Sequence, residues 1–108
     1  MIPKTPENYR LFAMHVLKEN LDTFFSCYER FSPNDMNHIA NIAASVMMTR
    51  DNVLSGGGFA NAIVKNDLHG AFSRADSTIL KSIRFMVYVM HHVSFEEDHP
   101  IFEEVETN

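Results

Sequence analysis

The sequence predicts an all-α domain, and three observations carry that expectation. Apolar residues return at three- and four-residue intervals through most of the 108 positions. Residues able to cap a helix stand before these runs, twice with proline directly after, at Thr5-Pro6-Glu7 and Ser32-Pro33-Asn34-Asp35. No segment alternates with period two between turn residues. The β-rich run Met86-Val87-Tyr88-Val89-Met90 is flanked by helical spacing and carries no turn signal.

The first helix is expected from about Pro6 to Arg30. Tyr9, Phe12, Val16, Phe24, Cys27 and Phe31 mark its stripe, and Leu11, Leu17, Leu21, Phe25 and Tyr28 widen it. Polar Asn20 and Thr23 interrupt the repeat, so a shorter pair broken near Asn20 is the alternative. The second helix starts at Ser32-Pro33 and ends near Thr49, with Met36, Ile39, Ala40, Ala43, Val46 and Met47 on one face. Ala40, Ala43 and Ala44 are small enough to let another helix approach closely. These two make a long N-terminal helical hairpin.

Asp51-Asn52 opens a loop that leads into Ser55-Gly56-Gly57-Gly58. Phe59, Ala62, Ile63 and Asn66 then fit a helix of two turns, and Asp67 can cap a second short helix containing Leu68, Ala71, Phe72 and Ala75. Asp76-Ser77-Thr78 begins a longer helix that ends near Val93. Its buried face is expected to carry Ile79, Leu80, Ile83, Met86, Val87 and Met90, with Tyr88, Val89 and His92 off that face. Pro100 prevents a simple helical continuation.

Composition narrows the class. The chain is 45% hydrophobic and 21% charged, an ordinary globular balance and not a disordered one. Its net charge of −5 is unevenly spread: residues 96–108 hold six of the 14 acids and no Lys or Arg, while the first 95 residues carry eight acids and nine bases. The expected organisation is therefore one helical domain over 1–95 and an acidic C-terminal tail over 96–108. A uniformly basic nucleic-acid binder is disfavoured. The single Cys27 excludes an intrachain disulfide framework and a Cys-based zinc site, and suits a reducing cytoplasm. No apolar run approaches the ~18–20 residues of a membrane span, and MIPKTPENYR lacks the apolar stretch of a secretory signal.

Few residue groups carry recognisable chemistry. Three glycines opening onto a helix at Phe59 would let backbone N–H groups approach an anion, with Lys65 or Arg74 folding back to neutralise it and Phe59 stacking on a base. Without the Lys-Ser/Thr of a phosphate loop, a connector making a sharp turn is the alternative. Asn66, Asp67 and Arg74 can converge on a ligand, or Asp67 and Asp76 can serve as helix caps with Arg74 paired to one of them. His91, His92, Glu96, Glu97, Asp98 and His99 have metal-ligand chemistry, but adjacent histidines point to different helix faces and no three are fixed in space. Cys27, among aromatics, is expected to be inert packing, His15 and His38 to edge the core or the surface, and Met47-Met48 to fill core or line a pocket. A helix-turn-helix outline is also present, with a recognition helix at Leu68–Ala75 or Ser77–Met90 and phosphate contacts limited to Lys65, Arg74, Lys81 and Arg84.

Gly57, Gly58, Phe59, Ala62, Ile63, Asn66, Asp67, Leu68, Ala71, Arg74, Ala75 and Asp76 together resemble a motif of small proteins from tailed bacteriophages. The resemblance spans about Leu54 to Val93. Beyond it the chain departs, with His91-His92-Val93-Ser94-Phe95 and acids where those proteins end in a Pro-rich segment with Trp. The resemblance implies a phage origin and a protein acting on host machinery.

The resulting expectation is a non-catalytic binding protein in the bacterial host cytoplasm, with no cofactor and no metal. It antagonises or modulates a host process by binding a host protein, with Glu96, Glu97, Asp98, Glu103, Glu104 and Glu106 meeting a basic surface. Two alternatives stand beside it. One is an oligomer that sequesters a phosphate-bearing, nucleotide-like ligand at Gly56, Gly57, Gly58, Phe59, Lys65, Asn66, Asp67 and Arg74. The other is a helix-turn-helix-like DNA-binding regulator. Nine Phe in 108 residues, and a first helix apolar on two sides, make a homo-oligomer the expected assembly.

Overall fold

Side chains that satisfy open backbone groups decide where the helices begin. In the computed structural model, which describes residues 2–25 and 31–103, Thr5 Oγ1 accepts from the Asn8 N–H and α1 runs Pro6–Glu19. Asn20 ends it. Its Nδ2 donates to the Val16 carbonyl at 2.7 Å, competing with the backbone ladder. A single turn, α2 (Leu21–Phe24), follows. The first helix is thus the broken pair and not one rod to Arg30; Ser26 to Arg30, including Cys27 and Tyr28, lie outside the described residues.

Ser32 opens α3 (Pro33–Arg50) with a full capping box, its hydroxyl accepting from the Asp35 N–H while the Asp35 carboxylate accepts from the Ser32 N–H. Shorter elements come next: α4 (Gly58–Val64), α5 (Leu68–Arg74) capped by Asp67, and α6 (Ser77–Leu80) capped by Asp76. Then α7 covers Ile83–His92, and a 3₁₀ turn spans Pro100–Phe102. No strand occurs among the described residues, so the fold is all-α.

The core forms where α1 lies on α3, the most extensive helix–helix contact. Ala13 of α1 and the small residues Ala40, Ala43 and Ala44 of α3 are all buried. Tyr9, Leu17, Ile39, Val46 and Met47 belong to the same buried cluster, and Met48 is buried too, so Met47-Met48 serve the core. Against α3 also pack α4 and α7.

The helix expected from Asp76 to Val93 is interrupted at Lys81-Ser82. Its inward face is rotated from the expected one: Ile79, Ser82, Ile83, Phe85, Met86, Val89 and Val93 are buried, while Leu80 is 44% exposed and Val87 and Met90 are only half-buried. Ser82 lies at the centre of that face. It is tolerated there because its hydroxyl donates to the Ile79 carbonyl at 3.0 Å, leaving no bare polar group in the core.

Beyond Val93 the chain folds back over α1 as a strap, residues 95–103. Phe95 stacks on Tyr9 with ring centroids 4.4 Å apart, and Phe102, 1% exposed, lies against Phe12. Glu96, Asp98 and Glu103 point outward, with Glu97 half-buried. The acids up to Glu103 therefore ride on a segment anchored to the body by aromatic residues. Glu104 and Glu106 lie outside the described residues.

Candidate functional site

The glycine loop is built for close approach. No glycine has a positive φ. A Cβ at Gly56 would stand 2.8 Å from both the Ala60 Cβ and the Thr49 Oγ1, and 3.3 Å from the Ser45 Cβ, so only hydrogen fits between α3 and α4. The Gly56 N–H donates to Thr49 Oγ1 at 2.8 Å, and Asn61 Nδ2 donates to the carbonyls of Gly56 and Gly57. These contacts make the loop a tight connector. Phe59 is buried and has no face free to stack on a base, which corrects that part of the ligand expectation.

The two bases assigned to the loop separate. Arg74 does fold back: its Cδ would meet a Cβ on Gly58 at 2.5 Å, and its guanidinium donates to the Gly70 carbonyl at 3.4 Å. Lys65 instead lines an open cleft of about 530 Å³ on the α3 side of the loop, with Thr49, Asn52, Ser55, Asn61 and Val64. Asn66 makes the turn into α5, at a φ of 60° that asparagine tolerates better than most residues. Asp67 accepts from the Gly70 N–H at 3.0 Å and Asp76 from the Ile79 N–H at 2.8 Å, so both are helix caps. Among the described residues Arg74 forms no ion pair with either. Asp76 pairs with His38 across the fold at 2.7 Å. The Ile79 N–H first, then His38, holds its carboxyl below the usual range.

A short helix with a large outward apolar face lies next to this loop. Gly70 and Ala71 are the residues that α5 buries. Its large apolar residues, Leu68 and Phe72, are 51% and 54% exposed and stand one turn apart. Lys65 and Arg74, both exposed, flank this helix in sequence.

Two further groupings join residues distant in sequence. Arg50, at the end of α3, donates to the Val89, Met90 and Val93 carbonyls at 3.1, 3.1 and 2.6 Å, capping the C-terminus of α7. It also pairs with Asp51 at 2.9 Å, and Asp51 accepts from the Tyr9 hydroxyl at 2.9 Å. Burial pushes the Asp51 carboxyl up, but the Arg50 and Tyr9 hydrogen bonds and the Arg50 charge outweigh it and hold the group below its ordinary value. Burial and the neighbouring carboxylate raise the Tyr9 hydroxyl well above the usual phenol range. Sequence spacing gave no sign of this knot; Asp51 read as the start of a loop.

The second grouping is a cleft of about 230 Å³ between α1, the end of α7 and the strap, where His15, Glu19, His92, Glu96 and His99 meet. The sequence placed the last three together, and the fold adds His15 and Glu19 from α1. His15 and His99 are in ring contact with centroids 4.6 Å apart. Among the described residues no three His, Cys, Asp or Glu side chains are placed to share a metal ion. No known family profile, curated protein or solved structure matches the chain. Among the described residues, no helix is long and apolar enough to cross a membrane.

Proposed function

We propose that the chain is a non-catalytic binding protein of phage type that acts in the bacterial host cytoplasm by engaging a host protein through the outer face of α5. The observation that carries this reading is the outward placement of Leu68 and Phe72 on a helix that buries only small residues. Large apolar side chains held on a rigid helix are the usual anchors of an interface, and two adjacent ones differ from apolar residues scattered singly. The phage-protein resemblance runs through this same segment and supplies the host context. Exposed Glu96, Asp98 and Glu103 then steer association with a basic surface, adding rate more than affinity.

The test compares capture of bacterial proteins by wild type, by Leu68→Ser/Phe72→Ser, and by a Glu96→Lys/Asp98→Lys/Glu103→Lys variant. The apolar variant is expected to weaken capture by about 30-fold or more, two anchors' worth, with an unchanged melting temperature because both residues are exposed. The charge variant should associate more slowly and lose its salt dependence. Undiminished capture by the apolar variant removes α5 from the account. If wild type elutes as a dimer and this variant as a monomer, α5 is a self-association face instead.

A second reading, sequestration of a phosphate-bearing small molecule, is favoured by one observation: the cleft of about 530 Å³ beside the glycine loop with Lys65 on its wall. On this reading Lys65 neutralises the phosphate while Ser55, Asn52 and Asn61 offer polar contacts. A phosphorylated metabolite at 100 times its Kd should stabilise the protein by about 2.7 kcal/mol, raising Tm by roughly 10–20 °C. Lys65→Ala should abolish the shift. A panel of such metabolites giving no shift would end this reading.

A further inference from the structure

The His99 ring is held in a state that only its neutral form can adopt. Its Nδ1 accepts from the Ile101 N–H at 3.2 Å, capping the 3₁₀ turn that carries Phe102 into the core. An imidazole accepting at Nδ1 bears its proton on Nε2, and a second proton converts that acceptor into a donor. The same ring lies against His15 at 4.6 Å and edge-on to Phe12 at 5.5 Å, so the new charge would arise beside a second titratable imidazole and an apolar ring.

We propose that residues 95–103 form a pH-sensitive strap, latched onto α1 by neutral His99 capping the Pro100–Phe102 turn and loosened when His99 is protonated. Every charged or titratable group lining the cleft around His99 can be assigned a sign. From α1 come His15 and Glu19, the latter 3.0 Å from His15 Nε2; from the end of α7 come Tyr88 and His92; from the strap comes Glu96, 3.9 Å from His99 Nε2. The two carboxylates favour the charged imidazoles, but their side chains are 64% and 62% exposed, where water screens such pairs. The lost cap and the His15–His99 approach are not screened in the same way, because His99 is 19% exposed and His15 28%. Protonation of His99 therefore loosens the strap, and each opening uncovers Phe12, Tyr9 and Phe102 together.

Amide hydrogen exchange, corrected for its intrinsic pH dependence, tests this on the full chain. Protection of Ile101 and Phe102 in wild type is expected to fall about tenfold between pH 7.5 and 5.5 while α3 stays protected. His99→Asn keeps an acceptor at the cap at every pH and should hold its protection across the range. His99→Ala should be weakly protected at both ends. No fall in wild type overturns the proposal. An equal fall in His99→Asn overturns it too, because the titrating group would then be another one.

Discussion

Replacing Arg50 by Ala is expected to lower stability by about 2–3 kcal/mol, the upper part of the range for hydrogen bonds made by a charged group. The loss has two parts. Asp51 keeps its burial but loses its counter-charge, and the Val89, Met90 and Val93 carbonyls at the end of α7 lose their donor. Guanidinium denaturation should show the loss directly, and Tm should fall by roughly 10–20 °C for a domain of this size. Arg50→Lys retains the charge near the helix end but not the fork that bridges Asp51 to three carbonyls. It should recover about half of the loss.

The pH dependence of the two proteins separates the charge effect from simple packing. In wild type the folded Asp51 carboxyl lies below its unfolded value, so its stabilisation is fully present above the unfolded value near pH 4 and is lost as pH falls through the folded one. Remove Arg50, and burial acts on Asp51 with only the Tyr9 hydroxyl and the Lys4 charge to offset it. Acid should then favour the variant relative to wild type, so that the stability difference narrows as pH drops. An unchanged difference between pH 7 and pH 3 would mean that Arg50 acts through packing alone. At the alkaline side Tyr9 runs the other way: its raised value stabilises the fold below about pH 10 and the contribution is lost as pH rises further.

This knot marks a limit of what the sequence makes legible. Thr5-Pro6, Ser32-Pro33, Asp67 and Asp76 announce their helices because capping is local chemistry, settled within three or four residues. The small residues of α3 likewise announce a close helix neighbour. Arg50, by contrast, acts on carbonyls 39 to 43 positions away, and His15 meets His99 across the length of the chain. Such pairings depend on which helix ends come together, a property of topology that periodicity does not contain. The glycine loop shows the converse. Its composition suggests an anion cradle, but Thr49 and Asn61, which take up its polar groups, stand outside the motif.

A second large effect comes from the last helix. Phe85→Ala is expected to cost about 3–5 kcal/mol, as for other fully buried phenylalanines, whereas Leu80→Ala should cost under about 1 kcal/mol. Spacing read by hydrophobicity alone puts Leu80 inward and leaves Phe85 unassigned, so the two variants distinguish that phase from the observed one. Ser82 is the reason for the difference. A wheel drawn through the apolar residues avoids a serine, yet Ile79, Ser82, Met86, Val89 and Val93 follow one another at three- and four-residue spacing and form the buried seam. Bonding its hydroxyl to the Ile79 and Thr78 carbonyls lets Ser82 occupy the seam's centre. The seam then carries Phe85, 0% exposed, into contact with Phe24 and Phe25. Leu80 is left facing water on the far side. Paired denaturation curves settle the phase: a larger loss for Leu80→Ala than for Phe85→Ala would restore the face that hydrophobicity alone suggests. The expected order, with Phe85 dominant, makes the Phe24–Phe25–Phe85 cluster the element that ties α2 and the chain just beyond it to α7.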